Sequence, residues 1–262
     1  MQGEISVYVP ILAYHKVDNK FEWGLNTIPI RFFERQIRYL AENDYYSISL
    51  NQYLNHNFRI SPKQRPIIIT FDDADESVYI NAFPILKPYG FKTTLFVISN
   101  FVGKENTWDA NLGGIYSKHL DWQQIRELSN QGWEIGSHTA THRDLLGLAR
   151  REAEEEIYIS KEIISEEIGK PIHFISYPFN RFDENIISLA QRSGYRGGCA
   201  LSSSRRINGS SEQFKIQRYG VYSTDTLYWF KKKLFDSKIE RLKQRVFSFA
   251  SIGTILYKRY RK

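Results

Sequence analysis

Residues 67–73 read IIITFDD, an apolar run that ends in two aspartates, Asp72 and Asp73. A run rich in β-branched residues, preceded by Pro66, predicts a strand that is buried on both faces. Neighbouring side chains of a strand point to opposite faces. We therefore expect the two aspartates to differ in role, one binding an ion while the other faces a reacting water. The alternative is that the pair caps a following helix, because aspartate is a favoured cap.

A second polar motif follows another strand-like run: residues 136–142 read GSHTATH. His138 and His142 are four residues apart and would share one face if the segment turned helically. Alone, such a pair is often a coincidence or part of a solvated face. Together with the two aspartates, it supplies a carboxylate and two imidazoles for a metal ion, with a second carboxylate beside them. This combination can activate water at neutral pH, so it indicates a metal-dependent hydrolase.

Strand and helix patterns alternate along the chain. Strands are predicted at residues 6–14, 46–49, 66–71, 93–98, 133–137, 173–177 and 195–201. Helices are predicted over 31–43, between Asp121 as a cap and Gly132, and from 149 to a stop at Gly169. This order predicts an α/β fold with a parallel sheet, either open or closed into a barrel. Both polar motifs would then follow the carboxyl ends of their strands, where such folds place their sites.

The composition agrees with a globular α/β protein. Of 262 residues, 42% are hydrophobic and 25% are charged, which is enough for one large domain or two small ones with thin cores. The single cysteine, Cys199, excludes an intrachain disulfide framework and a cysteine-based zinc site. We assign residues 1–225 to the α/β domain and residues 226–262 to a basic, apolar tail that is predicted to be helical.

The net charge of +7 is concentrated in this tail. Lys231–Lys233 and the final KRYRK flank the apolar segment 246–256. Such a segment could lie on an anionic membrane face, or it could be a packed helix with a solvated basic end. No recognisable nucleic-acid-binding module accompanies the charge, so no nucleic acid partner is expected. No signal peptide or membrane-spanning run is seen, which predicts a cytoplasmic protein, with peripheral contact at the inner membrane face as an option.

Four stretches resemble the motifs of one known family, the polysaccharide deacetylases (the NodB-homology group, also called carbohydrate esterase family 4). Residues 70–73 (TFDD) resemble the first motif and residues 138–142 the second. Residues 176–180 (SYPFN) resemble the third, in which a proline–aromatic pair lines the site. Residues 11–17 (ILAYHKV) resemble the opening of the circularly permuted branch, whose members process bacterial surface polysaccharides that contain N-acetylated amino sugars. The match runs from about residue 15 to about residue 218.

The resemblance implies a distorted (β/α) barrel with about seven parallel strands. It also implies Zn²⁺, or another divalent ion such as Co²⁺, Ni²⁺ or Mn²⁺. Carried over by position, three residues would bind the metal: Asp73, His138 and His142. Three more would act on the substrate: Asp72 as general base, His15 as general acid and the backbone N–H of Phe179 as an oxyanion donor.

The sequence departs from the family pattern beside two motifs. Ala74 follows the second aspartate where glycine is common, and Asn180–Arg181 stands where glycine is usual, so the turns are expected to differ. Arg218 and Asp225 are both candidates to orient the base, and neither is assigned. The histidines outside the motifs are expected to be structural or exposed: His56, His119 and His173.

The predicted function is removal of an N-acetyl group from an amino sugar in a bacterial polysaccharide or its precursor. One alternative is a deacylase or deformylase of a lipid-linked or nucleotide-linked amino sugar, which the basic tail would suit. A second is a non-catalytic carbohydrate-binding protein on the same barrel, and a third is a hydrolase of small cyclic amides. The oligomeric state is not predicted.

Overall fold

Parallel strands form the centre of the molecule. The structure is a computed structural model that describes residues 8–20, 22, 24–59, 61, 63–107, 116–201, 212–235, 237, 240 and 242–244. Within these residues there are ten strands: β1 (Ile11–Tyr14), β2 (Lys16–Val17), β3 (Thr27–Ile28), β4 (Tyr45–Ser47), β5 (Arg65–Phe71), β6 (Thr94–Val97), β7 (Glu134–Ser137), β8 (Phe174–Ser176), β9 (Gly197–Leu201) and β10 (Ile216–Gly220). The same residues include seven α-helices: α1 (Ile30–Glu42), α2 (Leu50–Leu54), α3 (Phe83–Leu86), α4 (Trp122–Asn130), α5 (Arg150–Ile168), α6 (Glu184–Arg192) and α7 (Leu227–Lys233).

Seven of the strands close into a barrel in which every neighbouring pair is parallel. The order around the ring is β1, β5, β6, β7, β8, β9 and β10, and β1 pairs with both β5 and β10. Between β1 and β5, residues 11–14 lie opposite residues 68–71. Helices surround this ring. The prediction of a distorted (β/α) barrel with about seven parallel strands is therefore confirmed.

The membership of the barrel differs from the sequence-based prediction at two strands. The predicted strand at 46–49 corresponds to β4, which pairs with residues 65–67 at the start of β5 and lies outside the ring. No strand is predicted at β10, yet β10 closes the ring between β9 and β1. Its sequence, IQRYG, contains a glutamine and an arginine, so it lacks the apolar run that marks a buried parallel strand.

Alternate strand residues fill the interior of the barrel in two layers. The lower layer is apolar and takes one side chain from each of six strands: Ile11, Ile68, Phe96, Phe174, Cys199 and Ile216. The seventh strand contributes Gly136, where a Cβ atom would lie 2.6 Å from the ring of Phe96. The upper layer, toward the carboxyl ends of the strands, is polar and buried: Thr70, Asp72, Ser176 and Arg218. The buried polar residues of the upper layer therefore lie directly above the apolar lower layer.

The predicted helices are confirmed, and their ends follow the predicted signals. α4 begins at Asp121, whose side chain accepts a hydrogen bond of 2.8 Å from the backbone N–H of Gln124. α5 ends at Gly169, which has a left-handed backbone with φ 65°. Apolar residues of both helices, such as Leu128 and Ile157, belong to the same buried cluster as outward-facing residues of the barrel.

Only the start of the predicted tail is described. α7 packs against α1, with the rings of Tyr39 and Phe230 6.5 Å apart and nearly perpendicular. The apolar segment 246–256 and the basic end of the chain lie outside the described residues. The division of the chain at residue 225 stays a prediction. In the part of the chain that the structure describes, no helix is both long and apolar enough to cross a lipid bilayer.

Candidate active site

The carboxyl-terminal edge of the barrel carries the predicted site residues. His15 follows β1, Asp72 and Asp73 follow β5, His138 follows β7, and Phe179 lies three residues beyond the end of β8. By strand alternation, His15, Asp72 and His138 continue the inward-facing series of their strands. The structure thus brings together residues that are far apart in the sequence, at the edge where parallel barrels place their sites.

Asp73 reaches the same site through a sharp backbone turn. The φ angles of Asp73 and Ala74 are 68° and 53°, both in the left-handed region. With this turn, Oδ1 of Asp73 lies 3.4 Å from Nε2 of His138 and 3.6 Å from Nε2 of His142. Asp72 and Asp73 consequently have different surroundings, as strand geometry led us to expect.

The two histidines share this site, but the suggested helical turn between them is wrong. Residues 138–142 form an irregular loop in which Thr139 and His142 have φ angles of 68° and 56°. Glu156 of α5 holds the loop by accepting hydrogen bonds from the backbone N–H of Thr141 at 2.8 Å and from its hydroxyl. The rings of His138 and His142 lie 4.7 Å apart.

The donor set of this cluster fits a divalent metal ion. Nδ1 of His138 lies 2.7 Å from the carbonyl oxygen of Ser176, and because a carbonyl only accepts, Nδ1 carries the hydrogen. Burial lowers the pKa of His138, so its ring is neutral at neutral pH. The lone pair of Nε2 therefore faces a carboxylate oxygen of Asp73, and the two acceptors repel each other unless a cation lies between them.

The distances support the same conclusion. One ligand atom from each of Asp73, His138 and His142 lies within 4.8 Å of the others, and all three residues are buried. Bonds of 2.0–2.1 Å to a tetrahedral zinc ion would separate neighbouring ligand atoms by about 3.3 Å. The two separations measured from Asp73 are close to this value. The hydrogen bond from His138 to Ser176 is the kind of outer contact that orients a metal-binding imidazole.

Asp72 is held by a buried ion pair with Arg218. The two terminal nitrogens of Arg218 donate to Oδ1 and Oδ2 of Asp72 at 2.7 and 2.9 Å. The same guanidinium donates to Thr70 at 2.9 Å and to Ser176 at 2.8 Å, so its orientation is fixed. Burial acts to raise the pKa of Asp72, but the Arg218 guanidinium, together with His138 and His15, holds the pKa well below its usual range.

Arg218, and not Asp225, is thus the residue that orients Asp72. Asp225 pairs instead with Lys233, whose Nζ lies 3.2 Å from Oδ2, and with Lys243. Sequence reasoning could not choose between the two candidates because β10 was not recognised. A signal was present, since Ile216 and Arg218 are two residues apart and would share the inward face of a strand.

His15 lies beside Asp72 and interacts electrostatically with it and with His138. The residue is partly exposed, but its Nδ1 is buried and has no hydrogen-bond partner among the described residues. Burial lowers the pKa of His15 from 6.5 to about 4, although the charge of Asp72 acts in the opposite direction. In this environment His15 is neutral at neutral pH.

Phe179 and Asn180 form a second left-handed turn at the site. Both have φ 56°, and the ring of Phe179 lies 4.6 Å from the ring of His142. Asn180 stands where the resembled family usually has glycine, and asparagine tolerates this conformation better than most residues. Its Oδ1 accepts a hydrogen bond of 2.7 Å from the backbone N–H of Leu201, which fixes the turn.

The three histidines outside the motifs have different surroundings. His56 is exposed, and His173 precedes β8 at the opposite end of the barrel from the site. His119 is buried, and its Nδ1 lies 2.7 Å from the carbonyl oxygen of Asp73, so it contacts the site through the backbone. No local motif distinguishes His119, and only the return of its loop to β5 reveals this contact.

The comparison with family models gives the class of protein. The polysaccharide deacetylase model matches residues 59–198, which is just over half of the 262 residues. The chain therefore belongs to the polysaccharide deacetylase family, and the resemblance carried by its motifs is confirmed.

Two relatives illustrate the similarity at the level of sequence. YxkH of Bacillus subtilis (strain 168), a protein with a provisional assignment as a polysaccharide deacetylase, is 29% identical over 191 residues, which cover 72% of this chain and 63% of YxkH. The poly-β-1,6-N-acetyl-D-glucosamine N-deacetylase of Staphylococcus epidermidis is 26% identical over 198 residues, which cover 71% of this chain and 65% of that protein. The chain thus spans less than two thirds of the length of either curated relative.

Solved structures show the same fold. BC0361, a polysaccharide deacetylase from Bacillus cereus, superposes with a TM-score of 0.71 at 26% identity, covering 86% of this chain and 68% of that one. The Streptococcus pyogenes deacetylase PplD, solved in complex with acetate, superposes with a TM-score of 0.70. The match to PplD covers 86% of this chain and 97% of PplD, and at 22% identity it supports the fold alone.

Proposed function

We propose that this protein is a metal-dependent hydrolase that removes the N-acetyl group from an amino sugar in a bacterial polysaccharide or its precursor. The observation that carries the proposal is the position of Asp72, an ionised carboxylate clamped by Arg218 and adjacent to the Asp73, His138 and His142 cluster. The substrate class comes from the relatives, among which are enzymes named as N-deacetylases of poly-β-1,6-N-acetyl-D-glucosamine.

Hydrolysis of an amide needs a nucleophilic water, stabilisation of the tetrahedral oxyanion and a proton for the leaving amine. In this proposal Asp73, His138 and His142 hold the ion, with Zn²⁺ favoured by the two imidazoles and one carboxylate and Co²⁺, Ni²⁺ or Mn²⁺ as options. When bound, such an ion lowers the pKa of water and polarises the acetyl carbonyl group. The remaining requirements fall on side chains and backbone groups of this chain.

Asp72 has the role of general base. Its depressed pKa keeps it ionised at neutral pH, so it can accept the proton of the water as the oxygen attacks the carbonyl carbon. The paired hydrogen bonds from Arg218 fix the plane of the carboxylate. Arg218 orients the carboxylate but does not protonate it, because the guanidinium keeps its own protons. Asp72 can therefore still accept a proton from water.

His15 has the role of proton donor to the leaving nitrogen. Because its pKa is lowered to about 4, His15 begins the reaction neutral. It takes up the proton that Asp72 has accepted from the attacking water and passes it to the leaving nitrogen, so Asp72 is ionised and His15 is neutral again at the end. The N–H of Phe179 adds a fixed donor where negative charge develops on the carbonyl oxygen. The contact of its ring with His142 places this backbone segment next to the cluster.

The test combines metal content with acetate release. Wild-type protein reconstituted with Zn²⁺ is expected to hold about one ion per chain, and both Asp73→Asn and His138→Ala are expected to lose it. Asp72→Asn is expected to keep the ion while acetate release from N-acetylglucosamine oligomers falls by about 10²–10⁴-fold. His173→Ala, at the other end of the barrel, serves as the matched control and should resemble wild type in both measurements.

The same experiment separates the competing functions. Release of acetate or formate only from isoprenoid-phosphate-linked or nucleotide-linked amino sugars would favour the precursor deacylase. Sugar binding with an ion present and no acyl release from any of these substrates would favour the non-catalytic binding protein. An absent ion, or full activity in Asp72→Asn, would contradict the proposed mechanism.

A further inference from the structure

The turn at Asp73 and Ala74 is held in a backbone conformation that neither residue favours. Both φ angles are positive, and left-handed backbone is unfavourable for a residue that carries a Cβ atom. Glycine adopts this conformation readily, but the chain has alanine at the second position. Such a turn persists only when the surrounding structure holds it in place.

One short segment, residues 118–120, supplies these restraints from outside the turn. The backbone N–H of Leu120 donates to the carbonyl oxygen of Ala74 at 2.9 Å, and the N–H of Glu76 donates to the carbonyl oxygen of Lys118 at 2.8 Å. Asp75 and His119 lie opposite each other in an isolated antiparallel bridge. The segment therefore runs alongside the turn and pairs with it on both sides of His119.

His119 contributes the side-chain restraint. Its Nδ1 lies 2.7 Å from the carbonyl oxygen of Asp73, and the nitrogen must be the donor because a carbonyl oxygen only accepts. The residue is 3% exposed, and its ring lies 5.9 Å from the ring of Phe101, so the imidazole has little freedom to move. This bond fixes the peptide group between Asp73 and Ala74.

We propose that His119 is a positioning residue that holds the left-handed turn and thereby aims the Asp73 carboxylate at His138 and His142. The proposal rests on the metal site of the proposed function and adds a residue that sets its affinity. Without the bond from His119, Asp73 and Ala74 can relax toward negative φ angles. The separations of 3.4 and 3.6 Å between the Asp73 oxygen and the two imidazole nitrogens would then be lost.

The decisive measurement is the Kd for Zn²⁺, determined by competition with a chromogenic chelator. We expect His119→Phe, which keeps a planar ring but has no donor, to raise the Kd by about 10–100-fold, as is typical when an outer contact of a ligand is removed. His119→Asn, whose amide nitrogen can take the place of Nδ1, should restore much of the affinity. His173→Phe is the matched control and should bind Zn²⁺ as the wild type does.

A second substitution tests the reason for the effect. Glycine at position 74 adopts the left-handed turn without strain, so Ala74→Gly in the His119→Phe background should recover part of the lost affinity. The absorption spectrum of the Co²⁺-loaded proteins provides a readout of ligand geometry that does not depend on activity. We expect an altered spectrum in His119→Phe and a spectrum closer to that of the wild type in the double variant.

The possible outcomes separate this inference from the proposed function. A wild-type protein that binds no Zn²⁺ would overturn both. Wild-type binding together with an unchanged Kd in His119→Phe would overturn the positioning role alone. A Kd that rises equally in His119→Phe, in His119→Asn and in the double variant would also overturn it, because the loss would then follow from altered packing and not from the missing donor.

Discussion

At the scale of single residues, Asp72 and Arg218 depend on each other because both are buried. Removing one member of a buried ion pair leaves the other uncompensated, at a cost of about 3–5 kcal/mol. We therefore expect Arg218→Met to lower the free energy of unfolding by about this amount at pH 7. Urea denaturation of the metal-free protein would measure it without a contribution from the ion.

The double variant Asp72→Asn/Arg218→Met is the control for this prediction. It removes both charges, so it should lose less stability than Arg218→Met alone. A double variant that loses the sum of the two single effects would show that the residues are energetically independent. That outcome would contradict the coupling that the paired hydrogen bonds indicate.

His15 gives a prediction about pH. Its pKa is about 4 in the folded protein and near 6.5 when unfolded, so between these values the unfolded state binds more protons. The contribution of His15 to stability is therefore fully present above about pH 6.5 and is lost as the pH falls toward 4. We expect wild type to lose more stability over this interval than His15→Gln, as measured by urea denaturation at each pH.

The exposed His56 provides the comparison for the pH prediction. The curve for His56→Gln should run parallel to that of wild type, because the side chain of His56 is exposed to solvent. Carboxylates of the protein titrate in all three proteins alike, so the difference between curves isolates the histidine. A curve for His15→Gln that also parallels wild type would contradict the lowered pKa.

At the scale of elements, β7 packs against β6 inside the barrel through a glycine, Gly136, which has no side chain. A Cβ atom on Gly136 would lie 2.6 Å from the ring of Phe96, which is too close for any real contact. We expect Gly136→Ala to lower the free energy of unfolding by about 1–3 kcal/mol through overpacking. Urea denaturation would measure this change, and a stabilised variant would contradict it.

The matched variant for β7 changes the neighbour. Phe96→Leu makes room beside the new methyl group, so Phe96→Leu/Gly136→Ala should be less destabilised than the sum of the two single substitutions. Strict additivity would show that the ring and the new Cβ do not interact. The comparison therefore tests the packing of the apolar lower layer of the barrel, directly beneath the candidate site.

Elements with a strong local pattern could be predicted from the sequence, whereas those without one could not. Strands β5 to β9 have ends within two residues of the prediction, because apolar runs and turn residues mark them locally. β10 was missed because its inward-facing position is occupied by Arg218. Arginine is expected at the surface unless a buried partner for its charge is known. The strand predicted at 46–49 corresponds to β4, and pattern alone does not reveal that it lies outside the ring.

At the scale of the whole molecule, the basic end of the chain gives a prediction about membranes. Leu227 and Tyr228 are exposed on α7, and Lys232 lies 5.3 Å from the Tyr228 ring. The apolar and basic residues 246–262 follow in the sequence. We expect the full chain to cosediment with vesicles containing phosphatidylglycerol and to be released as salt rises to about 1 M, where charges are screened within about 3 Å.

A charge variant and a neutral membrane serve as controls for this prediction. Replacing Lys258, Arg259, Arg261 and Lys262 with glutamine should weaken binding to anionic vesicles, and vesicles of phosphatidylcholine alone should bind little of the wild type. No difference between the two kinds of vesicle would contradict electrostatic contact. That result would favour the alternative of a packed helix with a solvated basic end.

The sequence by itself determined the features that depend on neighbouring residues. The alternation of strands and helices predicted an α/β fold with a parallel sheet, open or closed into a barrel, and the two motifs identified Asp72, Asp73, His138 and His142. Such patterns are short in range, since they record which side chains a strand buries and which residues end it. The family resemblance added His15 and Phe179, whose positions at the barrel edge the structure now shows.

Only the tertiary structure decided which distant groups meet. Arg218 pairs with Asp72 across 146 residues, and His119 reaches the carbonyl oxygen of Asp73 across 46 residues. Closure of the barrel sets the register between strands, and that register determines which inward-facing side chains become neighbours. No local propensity encodes such a meeting, because each residue is compatible with many surroundings until the ring of strands closes around it.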